Sequence, residues 1–176
     1  MKIQLPSSVL LVIDIQSRLM PAIANEKEVV GNATKLLMAS RLLDVPTLVT
    51  EQNPNGLGST VPELATGHAR TVFKDTFDAC EEPGFMELLP DAAKVIVVGC
   101  EAHVCVMQTV LGLLAQGRDV AVTSDAIGSR TSGNRDAALN RMARHGADLV
   151  TTEMVLFEWL QSSRREHFKP VLDLVR

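Results

Sequence analysis

The chain is poor in cysteine: Cys80, Cys100 and Cys105 are an odd number with no C-x-x-C or comparable metal-ligand spacing. Such usage argues against a disulfide framework or a zinc knuckle and for free thiols in a reducing, cytoplasmic setting. No apolar run approaches the ~20 residues that cross a bilayer. The first residues also lack the charged, apolar and small-residue succession of an export signal. A soluble, unexported protein with no membrane partner is expected. Concentrated positive charge is missing too, since 17 Lys and Arg stand against 21 Asp and Glu for a net charge of -4, with a pI near 5.6. Nucleic-acid binders need a basic face, so no such partner is expected. Arg164-Arg165 with His167 and Lys169 comes nearest to a basic run, but it lies at helical spacing near the C-terminus, where cations ordinarily complement the helix dipole. Aromatic residues are scarce at 3%, leaving apolar helix faces to pack against another subunit.

What is present is a core. The 176 residues are 46% hydrophobic, enough to bury one interior and short for two, so a single domain over 1–176 is expected. Val9 to Ile13 is a continuous apolar, β-branched run that suits a strand buried on both faces of a parallel sheet. Similar runs recur at Thr47–Thr50, Thr71–Phe73, Val95–Val98, Val120–Thr123 and Asp148–Thr151. Between them, apolar residues fall at helical spacing over Val29–Leu43, Val104–Ala115, Asn134–His145 and Met154–Leu160, and the residues after Gln161 read as one more helix. Gly117 and Gly146 stand just past two of these patterns, as C-cap residues do. Asn53-Pro54-Asn55-Gly56 with Gly58 reads as a turn-rich excursion. Alternating strands and helices require right-handed crossovers, which predicts a three-layer α/β/α sandwich on a mostly parallel, Rossmann-like sheet of about six strands.

In such sheets, ligands bind beyond the carboxyl ends of the strands. Asp14 follows the first run, Lys74 follows the third, and Cys105 lies between the fourth strand and the next helix. Taken singly, an Asp there is commonly a cap, a Lys is commonly solvated and a Cys is commonly a small buried hydrophobe. Together on one edge they suggest a nucleophile with charged partners. A cysteine near a helix N-terminus, with a lysine close by, is expected to have its pKa depressed below ~8.5, and the same backbone N–H groups suit an oxyanion. Gln16, Leu19 and Asn53, near strand ends, are candidate substrate-binding residues. His68, His103, His145 and His167 are dispersed, and only His103 is near the proposed nucleophile.

The strand ending Val12-Ile13-Asp14-Ile15-Gln16, the pair Phe73-Lys74, and Gly99-Cys100-Glu101-Ala102-His103-Val104-Cys105-Val106 before a helix resemble the isochorismatase-like cysteine hydrolases. The likeness continues through Ser124-Asp125-Ala126 to Thr152-Glu153-Met154, nearly the whole chain. Thr50 to Gly58, followed by Thr60-Val61-Pro62-Glu63-Leu64, looks most like the small isochorismatase-domain hydrolases. The resemblance implies a catalytic triad of Asp14, Lys74 and Cys105, a cis peptide at Cys100-Glu101, and an oxyanion hole from the N–H groups of Glu101 and Cys105. It also favours a homo-oligomer. Nicotinamidases of this superfamily carry an Asp-x-His metal motif where this chain has Glu51-Gln52-Asn53. One carboxylate without imidazoles is a poor transition-metal donor set, so no metal and no cofactor are expected.

The mechanism implied is attack of the Cys105 thiolate on the carbonyl of a small amide, giving a thioester, with Asp14 carrying the proton. Three alternatives stay open: hydrolysis of an isochorismate-type enol ether, a redox-sensing thiol protein, and a non-catalytic binding module on the same fold.

Overall fold

The structure, a computed structural model, describes residues 2–91 and 93–176. Six strands form one sheet: β1 (Ser8–Ile13), β2 (Thr47–Gln52), β3 (Arg70–Lys74), β4 (Lys94–Cys100), β5 (Val120–Gly128) and β6 (Asp148–Val150). Their order is β3-β2-β1-β4-β5-β6, and every pairing is parallel. All six lie where the apolar runs placed them. Every residue of β1 and of β4 is buried, as strands covered on both faces must be.

The helices are α1 (Glu26–Leu42), α2 (Pro54–Leu57), α3 (Met107–Ala115), α4 (Ser132–Arg144), α5 (Thr152–Leu160) and α6 (Phe168–Leu172). The period-2 alternation of the strands divides the interior. Leu10 and Val12 pack with Leu36 of α1 and Trp159 of α5 on one face, while Val9, Leu11 and Ile13 pack with Val110 of α3 and Met142 of α4 on the other. Each fully buried aliphatic chain contributes roughly 1.5–3 kcal/mol to holding these layers together. Thr131 and Thr151 cap α4 and α5, accepting from the N–H groups of Asn134 and Met154. Gly117 and Gly146 follow α3 and α4 with φ of 75° and 105°, as expected of C-cap residues. No helix among the described residues is long and apolar enough to cross a membrane.

Three segments differ from the sequence expectation. Residues 54–57 form a single helical turn instead of an open loop, because Asn53 caps it, accepting from Gly56 N–H, and Pro54 starts it. The helix expected after Gln161 is confined to Phe168–Leu172, with left-handed backbone at Gln161 (φ 59°) and His167 (φ 65°) breaking the run. The helix expected from Val104 begins earlier as a π-helical turn, Ala102–Val106, in which the N–H groups of Val104 and Val106 both donate to Glu101 O at 3.0 and 3.2 Å.

The chain winds outward from β1 through β2 to β3, then returns to β4 beside β1 and winds the other way. The carboxyl ends of β1 and β4 therefore flank the topological switch point, where a crevice opens in sheets of this kind.

Candidate active site

Asp14 directly follows β1 in left-handed backbone (φ 49°), with its N–H donating to Thr50 O at 3.2 Å. Its carboxylate is fully buried. Oδ2 accepts from Lys74 Nζ at 2.8 Å and Oδ1 accepts from Thr50 Oγ1 at 2.6 Å. Lys74, the last residue of β3, also donates to Thr76 O at 3.1 Å and Phe77 O at 3.4 Å, which gives an acceptor to each of its three N–H bonds. The ammonium thus ties the loop after β3 to the end of β1.

On the other side of the switch point, Gly99 has φ of 136°, and a Cβ there would lie 2.1 Å from Ile13 O. Only glycine lets β4 pass this close to the residue before Asp14. The next peptide but one, Cys100-Glu101, is cis, as the family resemblance implied. The π-helical turn then carries Cys105, 7% exposed, onto the face of the sheet that packs against α3 and α4.

Asp14 and Cys105 both line a cavity of about 340 Å³ together with Leu19, Ala22, Gln52, Leu57, Phe77, Glu101, Val104 and Arg130. Its wall is mixed: aliphatic at Leu19, Leu57 and Val104, aromatic at the half-exposed Phe77, and charged at Glu101, whose Oε2 accepts from the N–H and Nε of Arg130 at 3.0 and 3.1 Å. A larger groove of about 530 Å³ beside α1 presents Glu26, Lys27 and Glu63 but no cysteine, so volume alone does not mark the site.

The thiol differs from the sequence expectation. Burial pushes the Cys105 pKa up to about 12, and the Asp14 carboxylate adds to this by its charge and by a hydrogen bond. Lys74 pulls the other way and Glu101 raises it further. A helix N-terminus does not compensate for that loss of hydration, so the resting sulfur is a protonated thiol beside a proton acceptor. The same burial raises Cys100 and Cys80.

Of the residues singled out in the sequence, Asp14, Lys74, Cys105, Glu101 and Leu19 are brought together. Gln16 and Asn53 are not among the residues lining this cavity. The Gln16 amide is wholly buried and bonded to backbone, with Nε2 donating to Gln52 O (3.0 Å) and Gly58 O (2.6 Å) and Oε1 accepting from Gln52 N–H. Asn53 is exposed and serves as the cap of α2. His103 turns toward Ser129 Oγ at 3.1 Å. Cys100 packs into the opposite face of the sheet from Cys105, and Cys80 sits in a 3-10 turn whose thiol faces Thr109 O at 3.7 Å, so neither is arranged as a resolving thiol. Sequence reasoning missed Thr50, Gln52, Phe77 and Arg130. The first reads as filler in a buried strand, and the others lie at a strand end or in loops whose convergence only the fold reveals.

The profile of the isochorismatase domain matches residues 8–154, most of the chain. This chain belongs to the isochorismatase-domain family. Isochorismatase domain-containing protein 2 of Xenopus laevis is 37% identical over 171 residues, covering 96% of this chain and 83% of the frog protein. Among solved structures, MAR1 ribonuclease from Caenorhabditis elegans superposes with a TM-score of 0.95 at 37% identity, over 99% of this chain and 92% of that one. YcaC from Pseudomonas aeruginosa, solved with hexane-2,5-diol and covalent acrylamide, gives 0.91 at 26% identity, over 98% and 91%. The family assignment gives the chain an isochorismatase-like hydrolase fold and sets it close to the small isochorismatase-domain proteins.

Proposed function

We propose that this chain is a cysteine-dependent hydrolase of a small amide or related C–N compound, working through a thioester on Cys105. The observation that carries the reading is one cavity lined by both Asp14 and Cys105, with the buried Lys74 ammonium bonded to the Asp14 carboxylate behind it. A neutral thiol next to a carboxylate has somewhere to send its proton without passing it to solvent. Asp14 takes the proton from Cys105 as sulfur bonds to the carbonyl carbon. The carbonyl oxygen becomes an oxyanion held by the N–H groups of Glu101 and Cys105. Asp14 then hands the proton to the departing nitrogen, the C–N bond breaks, and the amine leaves. Water, deprotonated by the same carboxylate, opens the thioester to release the acid and restore the thiol. Lys74 holds the carboxylate in place throughout.

The covalent acrylamide in the structure of the Pseudomonas protein supports the nucleophile in this reading, because acrylamide is an electrophile that soft nucleophiles attack at its vinyl carbon. With the hydrolase reading go a single domain over 1–176, a small-molecule substrate, no resident cofactor, a cytoplasmic setting, and a homo-oligomer that would cover exposed Phe73 and Phe77 (62% and 50%). The worm relative is named a ribonuclease, but a chain of net charge -4 offers a polyanion little attraction.

The test is a screen of small amides, carbamoyl compounds, isochorismate and RNA against wild type and Cys105→Ala, with the acyl adduct trapped and weighed as intact protein. Amide turnover with a Cys105-dependent adduct is expected. Isochorismate cleavage without an adduct would replace the thioester by the enol-ether reaction, and RNA cleavage lost in Cys105→Ala would replace the substrate class.

A further inference from the structure

Lys74 anchors Oδ2 of Asp14, and a side-chain carboxylate with one anchor still turns about its last, soft torsion. The second anchor is Thr50, fully buried on β2, whose hydroxyl donates to the other oxygen at 2.6 Å. A carboxylate offers about four lone-pair sites. Thr50 and Lys74 take one on each oxygen, and the thiol of Cys105 needs one of those that remain. We propose that Thr50 is a positioning residue of this site, fixing the rotation of the Asp14 carboxylate so that a lone pair stays aimed at the Cys105 thiol. Thr50 touches no substrate and acts through Asp14. The inference rests on the reading of Asp14 as proton carrier.

The two anchors come from different strands. Lys74 reaches in from the edge of the sheet, and Thr50 sits between it and β1. A buried carboxylate needs its second oxygen hydrogen-bonded in any case, and a donor on the side opposite Lys74 meets that need while also fixing the rotation of the group. The charged groups facing the thiol are Asp14, Lys74 and Glu101, with Arg130 behind Glu101.

The test needs no natural substrate. In the full-length protein, iodoacetamide labelling of Cys105 is followed by mass spectrometry across pH. The sulfur–carbon bond forms, the carbon–iodine bond breaks, iodide leaves, and the thiol proton passes to Asp14. Labelling through Asp14 gives a rate that is flat with pH until free thiolate contributes, after which the rate climbs and levels off above the thiol's own pKa. In Thr50→Val the flat portion is expected to fall by about tenfold or more, short of the ~10²-fold that a misplaced reacting group costs. The high-pH limb should keep its height, with its midpoint shifted only toward lower pH as the hydrogen bond to the thiol is lost, and Thr50→Ser should restore the flat portion. A purely structural lesion would lower both limbs together. Should Thr50→Val fail to fold, Thr50→Ala against Thr50→Ser carries the same comparison. A normal flat portion in Thr50→Val, alongside its disappearance in Asp14→Asn, overturns the inference alone. A flat portion that survives in Asp14→Asn removes the proton-carrier reading itself. Failure of serine to restore it assigns the effect to packing and also overturns the inference.

Discussion

Lys74 Nζ stands 2.8 Å from Asp14 Oδ2 with both side chains sealed from solvent. Removing one partner leaves the other as a buried unpaired charge, a change that costs about 3–5 kcal/mol. Lys74→Met is accordingly expected to lower the unfolding free energy in urea by about that amount, and Asp14→Asn to do likewise. The double variant should be less destabilised than the sum of the two, and strict additivity in this cycle would show that the pair is not coupled.

The raised thiol makes a signed prediction about pH. Cys105 moves from an ordinary value of 9.0 to about 12, so between these values the native protein keeps a proton that the unfolded chain has released. The stability contributed by the neutral thiol is complete below about pH 9 and drains away as pH rises through the native value. Urea unfolding at about pH 8 and about pH 10.5 should show this loss, and Cys105→Ala should reduce its steepness, with Cys80 and Cys100 accounting for a remainder. Asp14→Asn should shift the thiolate absorbance to lower pH, because the carboxylate's charge and hydrogen bond both hold the proton on sulfur. Lys74→Met should shift it higher.

Gly99→Ala tests the closeness of the two central strands. A methyl group 2.1 Å from Ile13 O cannot be accommodated without moving β1 away from β4, and a φ of 136° is strained for alanine in any case. We expect destabilisation at or beyond the top of the ordinary range of roughly 0.5–3 kcal/mol, together with slower Cys105 labelling as Asp14 moves with Ile13. A variant as stable and as reactive as wild type would contradict the register of β1 on β4.

Chelation is expected to leave Cys105 labelling and any amide turnover unchanged. Glu51, the one carboxylate of the segment Glu51-Gln52-Asn53, is already committed, its Oε1 accepting from the N–H and hydroxyl of Thr60 at 2.7 and 2.8 Å. Activity that falls with a chelator and returns with a divalent metal would show that those contacts open.

The layers were legible because apolar period alone separates buried strands from amphipathic helices, and the β-branched stretches around Val12 and Val97 admit no other reading. The candidate positions Asp14, Lys74 and Cys105 followed from strand ends and from the resemblance. The thiol's shift went the opposite way from the sequence expectation because a sequence shows that a cysteine precedes a helix but not how much water the fold strips from it. Gln16 was unreadable for a similar reason, since its partners Gln52 and Gly58 lie 36 and 42 residues away. Thr50 is the sharpest case, because on a buried strand a threonine serving as a tether looks the same as one serving as packing.

The reversal of winding between β1 and β4 has a consequence for the life of the chain. Asp14 and its partners Thr50 and Lys74 all belong to the first half of the polypeptide, while the Cys105 sulfur and the bend that presents it belong to the second. A nascent or partly unravelled molecule in which the halves have not zipped along that seam carries three unremarkable thiols and a few scattered charges. On the proposed reading, hydrolysis at Cys105 therefore waits for tertiary closure, whereas simple alkylation of the thiol, which is more solvated and of ordinary pKa in the open chain, does not.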